Sequence, residues 1–258
     1  MILPAFFMLA ISFMTPYEFD FVQLPFTLNN YYKVFSPLYL KMFISSIITA
    51  FCATLICLLI GYPVAYIISH SPIYARNFLI MLLIIPFWTS SLVRTYALIT
   101  LIKANGVINN ILLWLNLIKE PIEVLYTPTA VMLGLIYTLL PFMVLPLYSV
   151  LEKLDKRYIE AAQDLGAGKI SLFFKVIIPL TMPGIFAGCI LVFLPALSLF
   201  YIVDLLGGAR NLLLGNVIKN QFLIARDWPF GSALCIVFTL LIISIIFVYF
   251  KRNKELSL

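Results

Sequence analysis

Charged residues are scarce in this sequence. They make up 11% of the 258 residues, whereas hydrophobic residues make up 63%. A soluble globular domain usually carries about 25% charged and about 45–50% apolar residues. The composition therefore excludes an ordinary water-soluble fold and predicts a membrane protein. The net charge of +6 is not gathered into a basic run, so nothing in the sequence indicates a nucleic-acid partner.

The residues that build metal sites and covalent catalysts are also few. The single histidine, His70, lies at the end of an apolar run, and the four cysteines lie inside such runs without ligand spacing. Free cysteine is common there as a small apolar side chain. The pattern contains no nucleophile paired with a base. We therefore predict no metal site, no disulfide and no catalytic residue in this chain.

Long apolar runs are what the sequence does contain. A helix that crosses a bilayer needs about 20 mostly apolar residues. Five runs meet this requirement: Met42–Ser69, Phe78–Ile102, Thr129–Leu151, Val176–Val203 and Ser232–Phe250. Two shorter helices are predicted between runs, within 106–118 and 211–223. Prolines inside the runs predict kinks, because proline removes a backbone donor.

The first apolar run, Met1–Thr15, is too short to cross about 30 Å of hydrocarbon comfortably. Two interpretations remain open. Ala10-Ile11-Ser12 is typical of a signal-peptide cleavage site, but no basic segment precedes the run, which favours a short first transmembrane helix. The predicted fold is an all-α integral membrane protein with about six transmembrane helices and both termini on one side.

The basic residues differ in density between the two sides of the predicted membrane. One side carries Arg76, Lys153, Lys156, Arg157, Lys169, Lys175, Lys251, Arg252 and Lys254. The other side carries Lys33, Lys41, Lys103, Lys119, Arg210, Lys219 and Arg226 in longer loops. Cytoplasmic loops are enriched in Lys and Arg close to the membrane. The first, denser set therefore predicts that both termini and the loop at 152–175 are cytoplasmic.

That loop contains EAAQDLGAGKIS at 160–171, which has two interpretations. Gly-Ala-Gly-Lys followed by a serine is similar to a phosphate-binding loop, but such a loop needs GxxxxGK[ST]. Gln163 occupies the position of the first glycine and Ile170 that of the hydroxyl, so we reject nucleotide binding. The alternative is a helix over Lys156–Leu165, a turn at Gly166 and Gly168, and a second short helix over Ile170–Phe174. We predict this helix–turn–helix at the cytoplasmic surface.

At this point the chain resembles a known family. Glu160-Ala161-Ala162, then Gly166, then Ile178-Pro179-Leu180 resemble the EAA motif of binding-protein-dependent ABC-transporter permeases, in particular those for spermidine and putrescine. The resemblance covers nearly the whole chain, through GYPVAY (61–66), IPFWTSSLVRTYA (85–97), LLPFMVLPLYS (139–149), EAAQDLGA (160–167), IIPLTMPGI (177–185), DLLGGARNLLLGNVIKNQF (204–222) and RDWPFG (226–231).

The resemblance implies a single permease domain over 1–258 in a bacterial inner membrane, with 152–175 as its coupling-helix loop. It implies that this chain pairs with a homologous permease, that a dimer of separate ATPase subunits binds ATP and magnesium below them, and that a periplasmic binding protein delivers a polyamine. The chain itself would bind no cofactor and would not be an enzyme. The implied coupling residues are Glu160, Ala161, Ala162, Asp164, Gly166 and Ala167.

A polyamine path needs carboxylates and aromatic faces, because ammonium groups bind both. The candidates are Trp88 and Tyr96 in the predicted span Phe78–Ile102, with Tyr201 and Asp204 at the outer end of the predicted span Val176–Val203. Each aromatic candidate has the alternative role of packing or interface anchoring. Arg94 is an intramembrane cation and is expected to pair with an acid or carbonyls, or to face the outer interface.

Three classes of function remain for comparison. A membrane-embedded enzyme would need several catalytic polar residues within the spans, and Arg94 is the one deeply placed charge in the pattern. A channel or structural subunit would need no coupling element, and its flux would not depend on ATP. A permease subunit of an ABC importer accounts for the loop and is the predicted function.

Overall fold

The computed structural model describes residues 2–16, 26–208 and 213–255. Arg210 and Asn211 lie outside these residues, as do the side chains of Lys156, Lys251, Arg252 and Lys254. Within the described chain, thirteen α-helices follow in order: α1 (Ile2–Ser12), α2 (Asn29–Val34), α3 (Pro37–His70), α4 (Ile73–Ile84), α5 (Ser91–Ile102), α6 (Val107–Trp114), α7 (Pro128–Glu152), α8 (Lys156–Asp164), α9 (Lys169–Leu172), α10 (Ile178–Ser198), α11 (Phe200–Ile202), α12 (Leu214–Leu223) and α13 (Trp228–Glu255). A 3₁₀ helix covers Ile85–Trp88, and five-residue π turns cover Phe173–Ile177 and Val203–Gly207.

Four helical stretches are long and apolar enough to cross a membrane: Pro37–His70, Ser91–Trp114, Pro128–Glu152 and Lys169–Ser198. Shorter apolar helices cover Leu3–Ser12, Ile73–Trp88 and Trp228–Ser244. The prediction of an all-α membrane protein is confirmed. The shorter helices predicted within 106–118 and 211–223 are also present, as α6 and α12.

The predicted span Phe78–Ile102, which was expected to be kinked at its proline, is interrupted. Pro86 lacks the backbone N–H that an α-helix needs, and α4 gives way to the 3₁₀ helix there. The backbone is extended at Thr89 (ψ 146°) and Ser90 (ψ 136°), and α5 then begins at Ser91. The segment is therefore two helices with a break between them.

The predicted span Val176–Val203 is also interrupted. Its main helix, α10, ends at Ser198, because Leu199 leaves the helical conformation with ψ 68°. Pro195 lies one turn earlier, and the N–H of Leu199 bonds to its carbonyl oxygen at 2.9 Å. By contrast, α3 continues through Pro63, and α7 continues through Pro141 and Pro146. Proline alone therefore does not decide where these helices end.

The described chain divides into two compact units, Met1–Ser45 with Leu212–Leu258 and Ser46–Asn211. The single permease domain over 1–258 stays a prediction. In the first unit, α1, α2 and α12 pack against α13. Their buried apolar side chains form one cluster: Val34, Val217, Phe230, Ala233 and Leu234.

Asn30 holds the end of α1 in place by hydrogen bonds within the first unit. Its side-chain amide donates to the carbonyl oxygens of Ser12 at 3.0 Å and Met14 at 2.9 Å. These bonds satisfy carbonyls that a helix end leaves unpaired. Ser12 is fully buried, and its hydroxyl lies 2.7 Å from that of Tyr31. Ile2–Ser12 therefore form a helix that packs in this unit, and the cleavage-site residues belong to it. That this helix crosses the membrane stays a prediction.

The second unit is built around α7. Leu135, Leu139, Met143 and Leu147 repeat every four residues on one face of α7, and each is at most 1% exposed. The partner face on α10 carries Gly184 and Gly188, so the two backbones approach closely, as small residues permit in membrane helices. A Cβ added at Gly184 would lie 2.9 Å from Cγ2 of Val150 and 3.1 Å from the carbonyl oxygen of Pro146.

Substitution of Gly184 tests this packing. We expect Gly184→Val to lower the free energy of unfolding by about 1–3 kcal/mol, because overpacking forces neighbouring groups apart. The backbone oxygen of Pro146 limits how far α7 can adjust. Thermal unfolding in detergent or nanodiscs measures the change. The control is Ala187→Val, which adds similar volume at an exposed position of α10. Equal stability of the two variants would contradict the packing argument.

Candidate functional site

The loop at 152–175 begins with a capped helix. After α7 ends at Glu152, the Asp155 side chain accepts a hydrogen bond from the N–H of Arg157 at 3.0 Å. This contact satisfies one of the donors that the first turn leaves free. Helix α8 then covers Lys156–Asp164, one residue shorter than predicted.

Gly166 ends this helix in a Schellman turn. Its N–H bonds to the carbonyl oxygen of Gln163 at 2.8 Å, and the N–H of Ala167 bonds to that of Ala162 at 3.0 Å. This pair of bonds requires a left-handed residue after the helix, a conformation that glycine adopts without a steric penalty. Gly166 has φ +81°, so the sequence-based role of Gly166 in the turn is confirmed.

The second glycine of the loop has a different role. Gly168 has φ −66° and ψ 160°, and it caps α9 through the bond from the N–H of Leu172 to its carbonyl oxygen at 2.9 Å. A Cβ added there would meet nothing within 4 Å. The second short helix exists but begins at Lys169, and it continues through the first π turn into α10. The turn is therefore joined directly to a membrane helix.

The side chains of α8 are exposed on the side away from the protein. Among the predicted coupling residues, Glu160, Ala161, Asp164 and Gly166 are exposed, while Ala162 and Ala167 are half-buried. Apolar side chains are exposed beside them, including Leu165 at 89% and Ile170 at 77%. We call residues 156–170, which include the residues predicted to couple to an ATPase, the coupling surface. Carboxylates next to exposed apolar groups, on a helix followed by a rigid turn, form a surface suited to docking against another protein.

Two contacts hold the two ends of this loop in place. At its start, Arg76 of α4 forms an ion pair with Glu152 at 2.9 Å. At its end, the hydroxyls of Tyr62 on α3 and Thr181 on α10 lie 3.0 Å apart. Neither contact was predicted from the sequence. The available signals were an acid and a base at the ends of neighbouring spans, and two polar residues inside apolar runs.

The aromatic candidates of the predicted span Phe78–Ile102 are both exposed. Trp88 is 84% exposed on the 3₁₀ helix, and Tyr96 is 57% exposed on α5. Trp88 lines a groove of about 320 Å³, whose other lining residues are Asn77, Ile80, Met81, Ile84 and Ile85. Both rings are therefore available to lipid, substrate or another subunit.

Tyr201 and Asp204 lie at the second π turn. Both are half-buried, and the Tyr201 ring lies 6.2 Å from that of Phe200. The N–H of Tyr126 donates to the carbonyl oxygen of Leu206 in this turn at 2.8 Å. Helix α5 packs against the same turn, so the fold brings the element that bears Tyr96 next to the element that bears Asp204. Trp88 precedes α5 on a different element.

Arg94 lies next to an aromatic ring that was not predicted as its partner. Its guanidinium lies 5.8 Å from the centre of the Phe87 ring, within the range of a cation–π contact. Its Nε is buried and has no hydrogen-bond partner in the described part of the chain. The expectation was an acid or carbonyls as the partner, or a position facing the outer interface. The observed neighbour is an aromatic ring from the 3₁₀ helix before the break.

Comparison with known proteins places the chain in a family. The family model for the binding-protein-dependent transport system inner membrane component matches residues 58–253. The chain is 51% identical over 255 residues to the spermidine/putrescine transport system permease protein PotB of Escherichia coli (strain K12), which covers 99% of this chain and 93% of that protein. It is 50% identical over 256 residues to PotB of Haemophilus influenzae (strain ATCC 51907 / DSM 11121 / KW20 / Rd), with 99% and 90% covered.

The fold is also similar to solved structures. A bacterial ABC transporter involved in the import of the acidic polysaccharide alginate matches with a TM-score of 0.73 and 17% identity, over 96% of this chain and 88% of that chain. A bacterial alginate ABC transporter in complex with an alginate pentasaccharide-bound periplasmic protein matches with a TM-score of 0.72 and 15% identity, over 86% and 81%. The family match and the two relatives together show that the chain belongs to the binding-protein-dependent transport system inner membrane components, the permeases of ABC transporters.

Proposed function

We propose that this chain is a transmembrane permease subunit of an ABC importer for spermidine and putrescine. The observation that carries the proposal is the 51% identity with PotB over 99% of the chain. The resemblance of the sequence to the polyamine permeases supports the same substrate.

The coupling surface is the proposed docking site for the ATPase. Two PotA-like ATPase subunits would bind ATP and magnesium, and this chain would bind neither. Glu160 and Asp164 would offer carboxylates to a groove on one ATPase, and the exposed side chain of Leu165 would fill an apolar part of it. The turn at Gly166 would set the angle at which α8 enters that groove.

A second permease, PotC-like by the resemblance, would complete the path. Trp88 and Tyr96 are largely exposed in this chain. A polycation crossing the bilayer must be shielded from hydrocarbon, because charged groups are costly there. One chain with its aromatic candidates on an open face does not provide that shield. A facing subunit would enclose the path between the two permeases.

At the outer end, Asp204 and Tyr201 would receive an ammonium group from a PotD-like periplasmic binding protein. A carboxylate next to an aromatic ring supplies both a charge and a cation–π contact. The chain would lie in a bacterial inner membrane with both termini in the cytoplasm, so that the coupling surface faces the ATPase and the second π turn faces the periplasm.

ATP-driven uptake in proteoliposomes tests the function. The chain is reconstituted with its neighbouring permease, ATPase and binding protein, and radiolabelled spermidine and putrescine are supplied outside. We expect uptake that requires both ATP and the binding protein. Uptake that continues at the same rate without ATP would instead support the channel alternative. A preference for a substrate that is not a polyamine would overturn the substrate assignment.

The two glycines of the loop offer a matched test of coupling. We expect Gly166→Val to lower polyamine-stimulated ATP hydrolysis about 5- to 30-fold, since a left-handed conformation costs a side chain roughly 1–2 kcal/mol. Gly168→Ser should retain nearly full stimulation, because Gly168 has φ −66° and open space at its Cβ, and serine is a good helix cap. Normal stimulation in Gly166→Val would show that this turn does not transmit the signal.

Substitution of Asp204 tests the proposed substrate path. We expect Asp204→Asn to raise the KM for polyamine uptake about tenfold or more, because a hydrogen bond to a charged group contributes roughly 1.5–3 kcal/mol. Asp204→Glu should recover part of the loss by restoring the charge. The control is Glu123→Gln, which removes an exposed carboxylate in the loop before α7. An unchanged KM in Asp204→Asn would remove this residue from the path.

A further inference from the structure

Tyr62 and Thr181 form a buried polar contact between two membrane helices. Their hydroxyl oxygens are 3.0 Å apart, although the residues are 119 positions apart in sequence. Thr181 is fully buried, and Tyr62 is 7% exposed. In such surroundings a hydroxyl without a partner costs about 1–3 kcal/mol, and Thr181 supplies a partner for the Tyr62 hydroxyl.

The neighbouring bonds fix the direction of this contact. The Thr181 hydroxyl lies 2.8 Å from the carbonyl oxygen of Ile177 and 3.1 Å from that of Ile178. A hydroxyl has one proton to donate, and a carbonyl can only accept it. Thr181 therefore donates to its own helix, and Tyr62 donates to Thr181. The resulting chain of bonds runs from α3 to Ile177, the last residue of the first π turn.

The π turn at Phe173–Ile177 is the place where the coupling surface joins α10. Helix α8 packs against it. A π turn carries one extra residue in a helical turn and commonly occurs at functional sites. The edge of the Phe173 ring meets the Tyr62 ring, with centres 5.5 Å apart and planes at 88°. Tyr62 thus contacts the first residue of the π turn with its ring and the helix beyond the turn with its hydroxyl.

We propose that Tyr62 is a positioning residue that makes the coupling surface and the membrane helices move together. The bond to Thr181 holds α10 against α3 immediately after the π turn, so that a displacement of α8 is passed to both helices. Without the bond, the π turn absorbs the displacement, and ATP is hydrolysed with less substrate moved. This role rests on the proposed function of the chain as an ATP-coupled permease.

Removing single hydroxyl groups tests the role. Tyr62→Phe keeps the ring against Phe173, and Thr181→Val keeps the side-chain volume. In proteoliposomes of the complete assembly, we expect each variant to raise the ATP hydrolysed per polyamine transported several-fold. The double variant should match the single variants, because both remove the same bond. Thr181→Ser restores a hydroxyl and should return the ratio close to that of the unmodified protein.

A matched control separates this contact from the loss of any buried threonine hydroxyl. Thr54 is also buried on α3, and its hydroxyl donates within its own helix to the carbonyl oxygen of Ala50 at 2.7 Å. Thr54→Val should leave the ratio unchanged. The proposal is overturned if Tyr62→Phe transports with the unmodified ratio, or if the effects of Tyr62→Phe and Thr181→Val add in the double variant.

A distance measurement distinguishes failure of this inference from failure of the proposed function. Spin labels at the exposed positions Leu59 and Met182 report the separation of α3 and α10 next to the bond. In the full chain with its partner permease in nanodiscs, without nucleotide, we expect a narrow distance distribution that Tyr62→Phe broadens and Thr54→Val does not. An unbroadened distribution overturns the inference, whatever the substrate. If Tyr62→Phe broadens the distribution but the unmodified assembly takes up no polyamine, the role of the Tyr62–Thr181 bond is supported. Only the polyamine assignment is then removed.

Discussion

The close approach of α10 to α7 is the contact on which the rest of the second unit depends. Lipid is as apolar as the side chains that face it, so burial alone gives membrane helices little reason to associate, and packing must supply it. Gly184 and Gly188 remove side chains where the two backbones meet, and Met143 of α7 fills the space beside Gly188. Met143 also lies against Gly61 of α3, where an added Cβ would be 3.0 Å from its Cγ. One flexible side chain therefore lies against the backbones of two neighbouring helices, and α7 becomes the most buried span of the described chain.

The contact between α7 and α10 orients the coupling surface. This surface leaves α7 at Glu152 and returns to α10 through the π turn, so both of its ends belong to the two helices that pack most closely. Arg76 pairs with Glu152 at one end, and Tyr62 bonds to Thr181 at the other. The ion pair is partly exposed, so water and salt weaken it. The hydroxyl bond is buried, so it retains its strength and fixes the geometry more firmly.

Much of this arrangement follows from the sequence, because apolar run length and turn chemistry are local properties. The apolar runs gave the membrane helices, and Gly166 gave the turn, where φ +81° is a conformation that only glycine adopts easily. The sequence did not tell which prolines interrupt a helix. Pro86 and Pro195 lie next to breaks, whereas Pro141 and Pro146 lie inside continuous α7. The local pattern does not distinguish the two cases, since Pro63 also lies inside a continuous helix, α3. The partners of Arg94 and Tyr62 were missed because each is distant in sequence or belongs to a span that had been predicted as one helix.

The two π turns lie before and after α10 in the chain. One lies at Phe173–Ile177, next to the coupling surface, and the other at Val203–Gly207, where Asp204 lies. Between them α10 has 21 residues and spans about 31 Å at ~1.5 Å per residue, close to the thickness of the hydrocarbon core. Helix α10 follows the first π turn directly, whereas the break at Leu199 and the short helix α11 separate it from the second. In this arrangement α10 is a rod with an irregular segment at each end. Displacement at one end then reaches the other end without loss only if the rod does not slip along its neighbours. The glycine contacts with α7 and the Tyr62–Thr181 bond both oppose such slipping, so the constraint that holds the fold together also makes long-range coupling physically possible.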